Sequence, residues 1–232
     1  MIKKISVVIS AYNEKDNIKL LYPRLINVLD KIKIKYEIIF VIDGDDGTKE
    51  MLSKLTKNRK NIMINYSNKT RGFANSFKIG FKKISKDATH VITMDADVNH
   101  HPEEIPNFLN EMKKTNCDIV IGSRYIIGSK MYKREFIKGF VSALANLFFP
   151  FILRLKVKDI SSGFRLYKIE VINYILPKIK RKGFEVLAEI LFLSKKYKIK
   201  EIPIDFTKRH AGKSKFKLFD TFFGYIKILL NI

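Results

Sequence analysis

Short β-rich runs alternate with longer helical patterns along the first half of the chain, and this alternation limits the possible folds more than any other feature. Between the apolar runs, apolar residues recur at intervals of three and four. The predicted strands are Lys4–Ser10, Tyr36–Ile42, Asn61–Ser67, His90–Met94 and Asp118–Ser123, and the predicted helices are Asp16–Leu29, Gly47–Asn58, Phe73–Ile84 and Pro102–Lys114. This order of elements predicts an α/β fold with a doubly wound, mostly parallel sheet.

Polar, loop-like clusters begin where the predicted strands stop. In a doubly wound sheet, ligands bind beyond the carboxyl ends of the strands. The clusters are SAYNE, DGDDGT, NKTRGFAN, DADVN and GSRY. Because all five converge on one edge of the sheet, together they predict a binding site there more strongly than any one of them does.

The acidic cluster in DADVNHHPEE contains two carboxylates one residue apart. In an extended chain, Asp95 and Asp97 lie on the same side and offer oxygen ligands to one hard divalent cation. Pro102–Glu104 also fits the start of a helix, and both interpretations can hold together. A calcium loop is excluded, because its sixth position is His100 instead of Gly and its twelfth is Pro106 instead of Glu.

The charge and composition narrow the class of protein. The 232 residues are 46% hydrophobic, enough for one α/β domain, and the net charge of +22 predicts a polyanionic neighbour. Nucleic acid, an anionic membrane face and phosphorylated substrates all fit that charge, but no nucleic-acid recognition motif is present. The single cysteine, Cys117, favours a reducing compartment and a small core residue. The N-terminal sequence lacks the pattern of a signal peptide, so we expect a cytosolic protein.

Two apolar segments near basic residues resemble neither strands nor spanning helices. Gly139–Leu153 is too short to cross a bilayer and is closed by basic residues on both sides. A helix in a membrane interface and a buried helix explain it equally well. The chain end, 216–232, repeats the pattern with lysines between aromatic and aliphatic residues. Two such segments in a basic protein favour a membrane surface.

The motifs DAD, GSRY, SSGFR and RHAGKSK, in this order, carry a resemblance that extends over nearly the whole chain. The sequence resembles the family 2 glycosyltransferases of the GT-A fold, a Rossmann-like and mostly parallel sheet flanked by helices. Within them it is most similar to the dolichol-phosphate mannose synthase and polyprenyl-phosphate glycosyltransferase group. The resemblance implies a catalytic domain over 1–215, including an amphipathic interface segment at 134–158, and a C-terminal amphipathic helix at 216–232.

The resemblance also implies roles for individual residues. Asp95, Asp97 and Asn99 would hold Mg²⁺ or Mn²⁺, although Asn99 stands where the family usually has Gln. The implied catalytic residues are Asp95, Asp97 and Arg124. The implied nucleotide-sugar contacts are Ala11, Tyr12, Glu14, Asp43, Arg209 and Lys215, and the implied contacts to an acceptor phosphate are Lys138 and Ser142. Arg165 in SSGFR is open to a structural or a functional role.

The expected activity is inverting transfer of a sugar, with mannose from GDP-mannose favoured, onto dolichyl or polyprenyl phosphate. The expected location is the cytoplasmic face of an anionic membrane, reached directly or through a membrane-anchoring protein subunit, with no nucleic-acid partner. Three alternatives stay open at this point. They are a UDP-sugar transferase of the same family, a catalytically silent scaffold and a basic nucleic-acid-binding protein.

Overall fold

The computed structural model describes residues 1–131, 146, 148–207, 209–211, 224–228 and 230. Within them, strands and helices alternate as far as the fifth strand. The strands are β1 (Lys4–Tyr12), β2 (Lys35–Asp43), β3 (Ile62–Ser67), β4 (His90–Asp95), β5 (Ile119–Ser123), β6 (Lys130–Met131), β7 (Arg165–Lys168), β8 (Ile199–Pro203) and β9 (Asp205–Phe206). The helices are α1 (Lys15–Lys31), α2 (Thr48–Thr56), α3 (Phe73–Lys82), α4 (Ile105–Thr115), α5 (Ile169–Ile175) and α6 (Val186–Leu193). Short 3-10 helices cover Pro102–Glu104 and Leu176–Lys178.

Seven of the described strands form one sheet in the order β3-β2-β1-β4-β7-β5-β8. The pairs β1–β2, β1–β4, β2–β3 and β5–β8 are parallel, whereas β7 runs antiparallel to both β4 and β5. The remaining strands, β6 and β9, form a small parallel pair of their own. The prediction of a mostly parallel α/β sheet is confirmed, and the antiparallel β7 and the parallel β8 are additions that the sequence pattern did not predict.

The hydrophobic core has two layers, one on each face of the sheet. Alternate residues of β1 divide between them: Val7 and Ile9 pack with α1 and α4, and Val8 packs with α3, α5 and α6. Both faces are covered, so the central strands are apolar at almost every position. Cys117 is fully buried in the first layer, as the sequence predicted.

The predicted interface segments are described only in part. Residues 148–152 and 224–228 are helical, and Phe149 packs on Tyr225 with ring centroids 4.6 Å apart. Residues 134–145 and most of 216–232 lie outside the described residues, so the predicted C-terminal amphipathic helix stays a prediction. Among the helices that the structure does describe, none is long and apolar enough to cross a bilayer.

His90 makes the stability of the fold depend on pH. It begins β4 and is 6% exposed. Burial, together with nearby positive charges that include Lys168, lowers the pKa of His90 to about 4. The unfolded chain therefore binds a proton at this site between about pH 6.5 and pH 4 that the folded chain does not bind.

We expect the free energy of unfolding to fall as the pH drops from about 6.5 to 4, with His90 contributing up to about 3 kcal/mol of the loss. The variant His90→Gln should lose less stability over the same interval, because it cannot gain the proton. Urea unfolding at a series of pH values measures this difference. Parallel stability curves for the two proteins would contradict the prediction.

Candidate functional site

The carboxyl ends of the parallel strands form one polar edge of the sheet. β1 ends at Tyr12, β2 at Asp43 and β4 at Asp95. Pairing within the sheet sets Tyr12 opposite Asp43, and Ser10 opposite Asp95. The predicted polar clusters therefore meet where the topology of a doubly wound sheet places its ligands.

A tight turn follows β4 and contains the second acid. The backbone N–H of Asn99 donates to Asp97 Oδ1 at 3.2 Å, and Asn99 Nδ2 donates to Asp97 Oδ2 at 2.9 Å. Between them, Val98 has φ of 66°, a conformation that is unfavourable for a β-branched residue. Thr207 borders the turn, with its N–H donating to the Asn99 carbonyl and its hydroxyl to the Val98 carbonyl, both at 3.4 Å.

The donor set of this turn fits a hard divalent cation. Asn99 Oδ1 is buried and has no hydrogen-bond partner among the described residues, and it lies beside Asp97, which is 6% exposed. Within the described part of the chain, no group of three or more His, Cys, Asp or Glu could hold a metal. The available ligands are thus two carboxylates, Asp95 and Asp97, and one amide oxygen, the type that Mg²⁺ and Mn²⁺ accept.

Negative charge is in excess around Asp95. Desolvation by the surrounding protein and, after it, the charge of Asp97 raise the pKa of Asp95 to about 7, although Arg209 and Arg124 oppose the rise. Gly163 of SSGFR lies against this carboxylate, because a Cβ at that position would stand 3.1 Å from Asp95 Oδ1. The loop backbone thus approaches Asp95 closely, and a side chain at position 163 would require the carboxylate to shift.

His100 supports the end of β4 from behind. Its Nδ1 accepts the backbone N–H of Asp95 at 3.1 Å, and the ring packs on Phe164 and Phe206, with centroids 5.1 and 5.6 Å away. The side chain is almost fully buried. The sequence predicted only a loop residue at this position, because nothing local indicates that the imidazole enters an aromatic layer.

Arg209 joins the two predicted acidic parts of the site. Its Nη2 lies 2.8 Å from Asp97 Oδ2, and its Nη1 lies 3.5 Å from Glu14 Oε1. Glu14, which precedes α1, is 6% exposed. A guanidinium therefore occupies one face of the carboxylate that would also serve a cation.

Asp43 is paired with an arginine that the sequence reasoning missed. Arg71 donates its backbone N–H to Asp43 Oδ2 at 2.6 Å and its Nε to Oδ1 at 2.7 Å. Nearby, Ala11 is 2% exposed and Tyr12 is 38% exposed. The predicted nucleotide contacts of Ala11, Tyr12 and Asp43 stay predictions. Arg71 stands just before α3 in the NKTRGFAN cluster. That cluster follows a predicted strand, which is the sequence signal for a site residue at this position.

Arg124 forms a buried ion pair with Asp159. Its Nε and Nη2 each lie 2.7 Å from a separate oxygen of that carboxylate, and Nη2 also donates to Ser161 Oγ at 2.6 Å. The exposed fractions of the side chains are 4% for Arg124 and 0% for Asp159. Arg124 thus anchors the loop that precedes β7, and its predicted catalytic role stays a prediction.

Arg165, for which sequence left two roles open, is completely buried. Its Nη1 and Nη2 donate to the carbonyls of Leu187 and Ile160, both at 2.8 Å. These bonds join β7 to α6 and to the loop before β7, which supports the structural role. The predicted acceptor-phosphate contacts Lys138 and Ser142 and the predicted nucleotide-sugar contact Lys215 lie outside the described residues.

A mostly parallel sheet with an acidic turn beyond its fourth strand defines this chain as an α/β protein of the GT-A class. The family model for glycosyl transferase family 2 matches residues 6–176, well over half of the chain. The chain therefore belongs to glycosyl transferase family 2.

Two curated relatives match almost the whole chain. A dolichol-phosphate mannosyltransferase of Pyrococcus furiosus is 35% identical over 99% of this chain, which spans 63% of that protein. A polyprenol monophosphomannose synthase of Mycolicibacterium smegmatis is 28% identical over 90% of this chain, which spans 79% of that protein. The chain thus covers less than two thirds of the archaeal relative.

Solved structures share the fold at low sequence identity. Glucosyl-3-phosphoglycerate synthase of Mycobacterium tuberculosis, solved with Mn²⁺, UDP and phosphoglyceric acid, has a TM-score of 0.73 and 17% identity. The match covers 99% of this chain and 78% of that one. A mannosyltransferase of Pyrobaculum calidifontis with GDP-Man and Mn²⁺ has a TM-score of 0.58 at 12% identity, over 90% of this chain and 58% of that one.

The Asp97–Arg209 pair predicts competition between the arginine and a divalent cation. The variant Arg209→Gln should bind Mn²⁺ more tightly than the wild type in the absence of nucleotide, by roughly 3- to 10-fold, because Asp97 loses a charged partner. Electron paramagnetic resonance of free Mn²⁺ measures the affinity. Weaker Mn²⁺ binding by the variant would contradict the prediction.

Proposed function

We propose that this chain is a metal-dependent, inverting glycosyltransferase that moves mannose from GDP-mannose onto a polyprenyl phosphate such as dolichyl phosphate. The observation that carries the proposal is the Asp97–Asn99 turn, whose buried amide oxygen lacks a partner among the described residues and whose acid faces Arg209. The names of the two curated relatives support the choice of sugar and acceptor.

The donor half of the reaction uses the acids at the carboxyl edge. Asp95, Asp97 and the Asn99 amide would hold Mg²⁺ or Mn²⁺, which when bound stabilises negative charge on the leaving diphosphate. Arg209, released from Asp97, would add positive charge on the same side as the leaving group. Neighbouring folds solved with Mn²⁺ and a nucleotide or nucleotide sugar are consistent with this arrangement.

The acceptor half needs positioning more than proton transfer. A lipid phosphate is already ionised at neutral pH, so its oxygen can attack the anomeric carbon without a strong general base. Attack from the face opposite the nucleotide inverts that carbon. Arg124 contributes positive charge near Asp95, and Lys138 and Ser142 are the proposed contacts of the acceptor phosphate, while Lys215 belongs to the proposed nucleotide-sugar contacts.

A sugar-transfer assay tests the proposal. Purified protein in detergent, supplied with polyprenyl phosphate and Mn²⁺ or Mg²⁺, should form mannolipid from labelled GDP-mannose. Asp97→Ala should reduce the rate about 100-fold or more, because it removes a group that positions the charge-stabilising cation. Asp87→Ala is the matched control, since this exposed acid pairs with Lys4 at the opposite end of the sheet.

Three outcomes of the assay would contradict the proposal in different ways. Product from UDP-glucose alone would replace the proposed donor. Absence of glycolipid with either donor would favour another acceptor, a required membrane subunit or a silent scaffold. Equal rates for the wild type and Asp97→Ala would show that Asp97 takes no part in the reaction.

A lipid acceptor requires the site to lie at a membrane surface, and the described residues supply a suitable patch. Phe148, Phe151 and Ile152 are 55%, 85% and 48% exposed, and Leu230 is 78% exposed. Phe149 and Leu153 on the same segment are buried. The segment is therefore amphipathic. One side is buried and the other is exposed, so it combines the buried helix and the interface helix that its sequence left open.

Basic residues follow this exposed apolar segment. Arg154, Lys156 and Lys158 follow it along the chain and are exposed. Such cations attract the anionic headgroups of a cytoplasmic leaflet, while the phenyl rings enter the interface. We propose that this face rests on an anionic bilayer at the cytoplasmic side.

Vesicle sedimentation tests the membrane surface. Binding to anionic vesicles should weaken with salt, and Phe151→Ser should reduce the partition coefficient roughly 10-fold, the value of one buried aromatic side chain. Leu55→Ser, on the exposed face of α2, is the control and should bind as the wild type does. Equal association with neutral and anionic vesicles at every salt concentration would rule out the electrostatic part.

A further inference from the structure

Asn17 makes an unusual set of contacts for a residue in the first turn of a helix. Its Oδ1 accepts the backbone N–H of Ala211 at 3.0 Å, and its Nδ2 donates to the carbonyl of the same residue at 3.2 Å. Nδ2 also donates to Glu14 Oε2. One carboxamide thus pairs with both backbone groups of a residue 194 positions away and with an acid of the site.

These contacts use the full donor capacity of the side chain. A carboxamide has two N–H donors, and those of Asn17 go to Ala211 and Glu14. Asn17 is 2% exposed, so water does not compete effectively for these groups. The Asn17 side chain is therefore held by the 209–211 segment and by Glu14, and its hydrogen bonds connect these two parts of the site.

Both partners of Asn17 lead to Arg209. Ala211 follows Arg209 by two residues, so pairing its N–H and carbonyl fixes the place and direction of the backbone close to the guanidinium. Glu14, the second partner, lies 3.5 Å from Arg209 Nη1. The guanidinium is then held 2.8 Å from Asp97.

We propose that Asn17 is a positioning residue that acts through Arg209. By fixing the 209–211 backbone, it keeps the guanidinium within reach of Asp97 when no cation is bound and within reach of a nucleoside diphosphate when one is. The inference rests on the proposed function, in which Arg209 contacts the donor diphosphate. It extends that function by naming a residue that touches neither substrate nor cation.

Two binding measurements with opposite expected signs test the proposal. In Asn17→Ala the guanidinium is held less firmly, so nucleotide-free protein should bind Mn²⁺ about 3-fold more tightly, because Arg209 competes less well for Asp97. With saturating Mn²⁺, the same variant should bind GDP about 10-fold more weakly, the usual scale for loss of an outer-shell contact. Isothermal titration calorimetry measures both affinities.

A double-mutant cycle separates positioning from general destabilisation. In an Arg209→Ala background, Asn17→Ala should change neither affinity further, because the residue through which it acts is absent. Asn27→Ala, an exposed asparagine on the same helix, is the matched control and should leave both affinities unchanged. Asn17→Leu keeps about the size of the side chain, removes its hydrogen bonds and adds no charge, and it should reproduce the Asn17→Ala result if Asn17→Ala folds poorly.

The possible results are distinct. Additive effects in the double mutant, or weakening of both Mn²⁺ and GDP binding by Asn17→Ala, would overturn the inference and leave Asn17 a purely structural residue. Failure of the wild type to bind GDP would overturn the proposed donor instead. In that case, the Mn²⁺ titrations of the single and double mutants still decide whether Asn17 acts through Arg209.

Discussion

The parallel pairing of β1 with β2 on one side and β4 on the other is the interaction on which the site depends. Its register brings the ends of three strands to one level, with Tyr12 opposite Asp43 and Ser10 opposite Asp95. Since side chains alternate between the faces of a sheet, a shift of one residue would turn the Asp95 side chain to the opposite face. The two apolar layers fix this register, because each strand buries residues on both faces.

Three acids of the structure each form an ion pair with an arginine from another part of the chain. Asp97 meets Arg209, Asp43 meets Arg71, and Asp159 meets Arg124. The third pair is completely buried and holds the loop before β7, a role in which loss of one partner would leave an uncompensated charge. The first pair is more accessible, with the Arg209 side chain 21% exposed.

Sequence predicted the elements that depend on local pattern and missed those that depend on distant pairing. The five predicted strands and the edge where they end agree with the structure to within a few residues, because burial on both faces leaves continuous apolar runs. β7 was missed, since Arg165–Lys168 is short and includes a buried arginine. The acids of the site were predicted from motifs, but Arg71, His100 and Asn17 gain their roles from contacts that no local spacing records.

The antiparallel β7 imposes an order on the folding of the chain. The strands β3, β2, β1 and β4 are all complete by Asp95, so the first half of the sheet can pair as soon as it leaves the ribosome. β5 comes next in sequence, yet its partners among the strands that the structure describes are β7 and β8, and β7 joins it to β4. Among the described strands, β5 therefore has no partner in the sheet until Arg165–Lys168 has been synthesised.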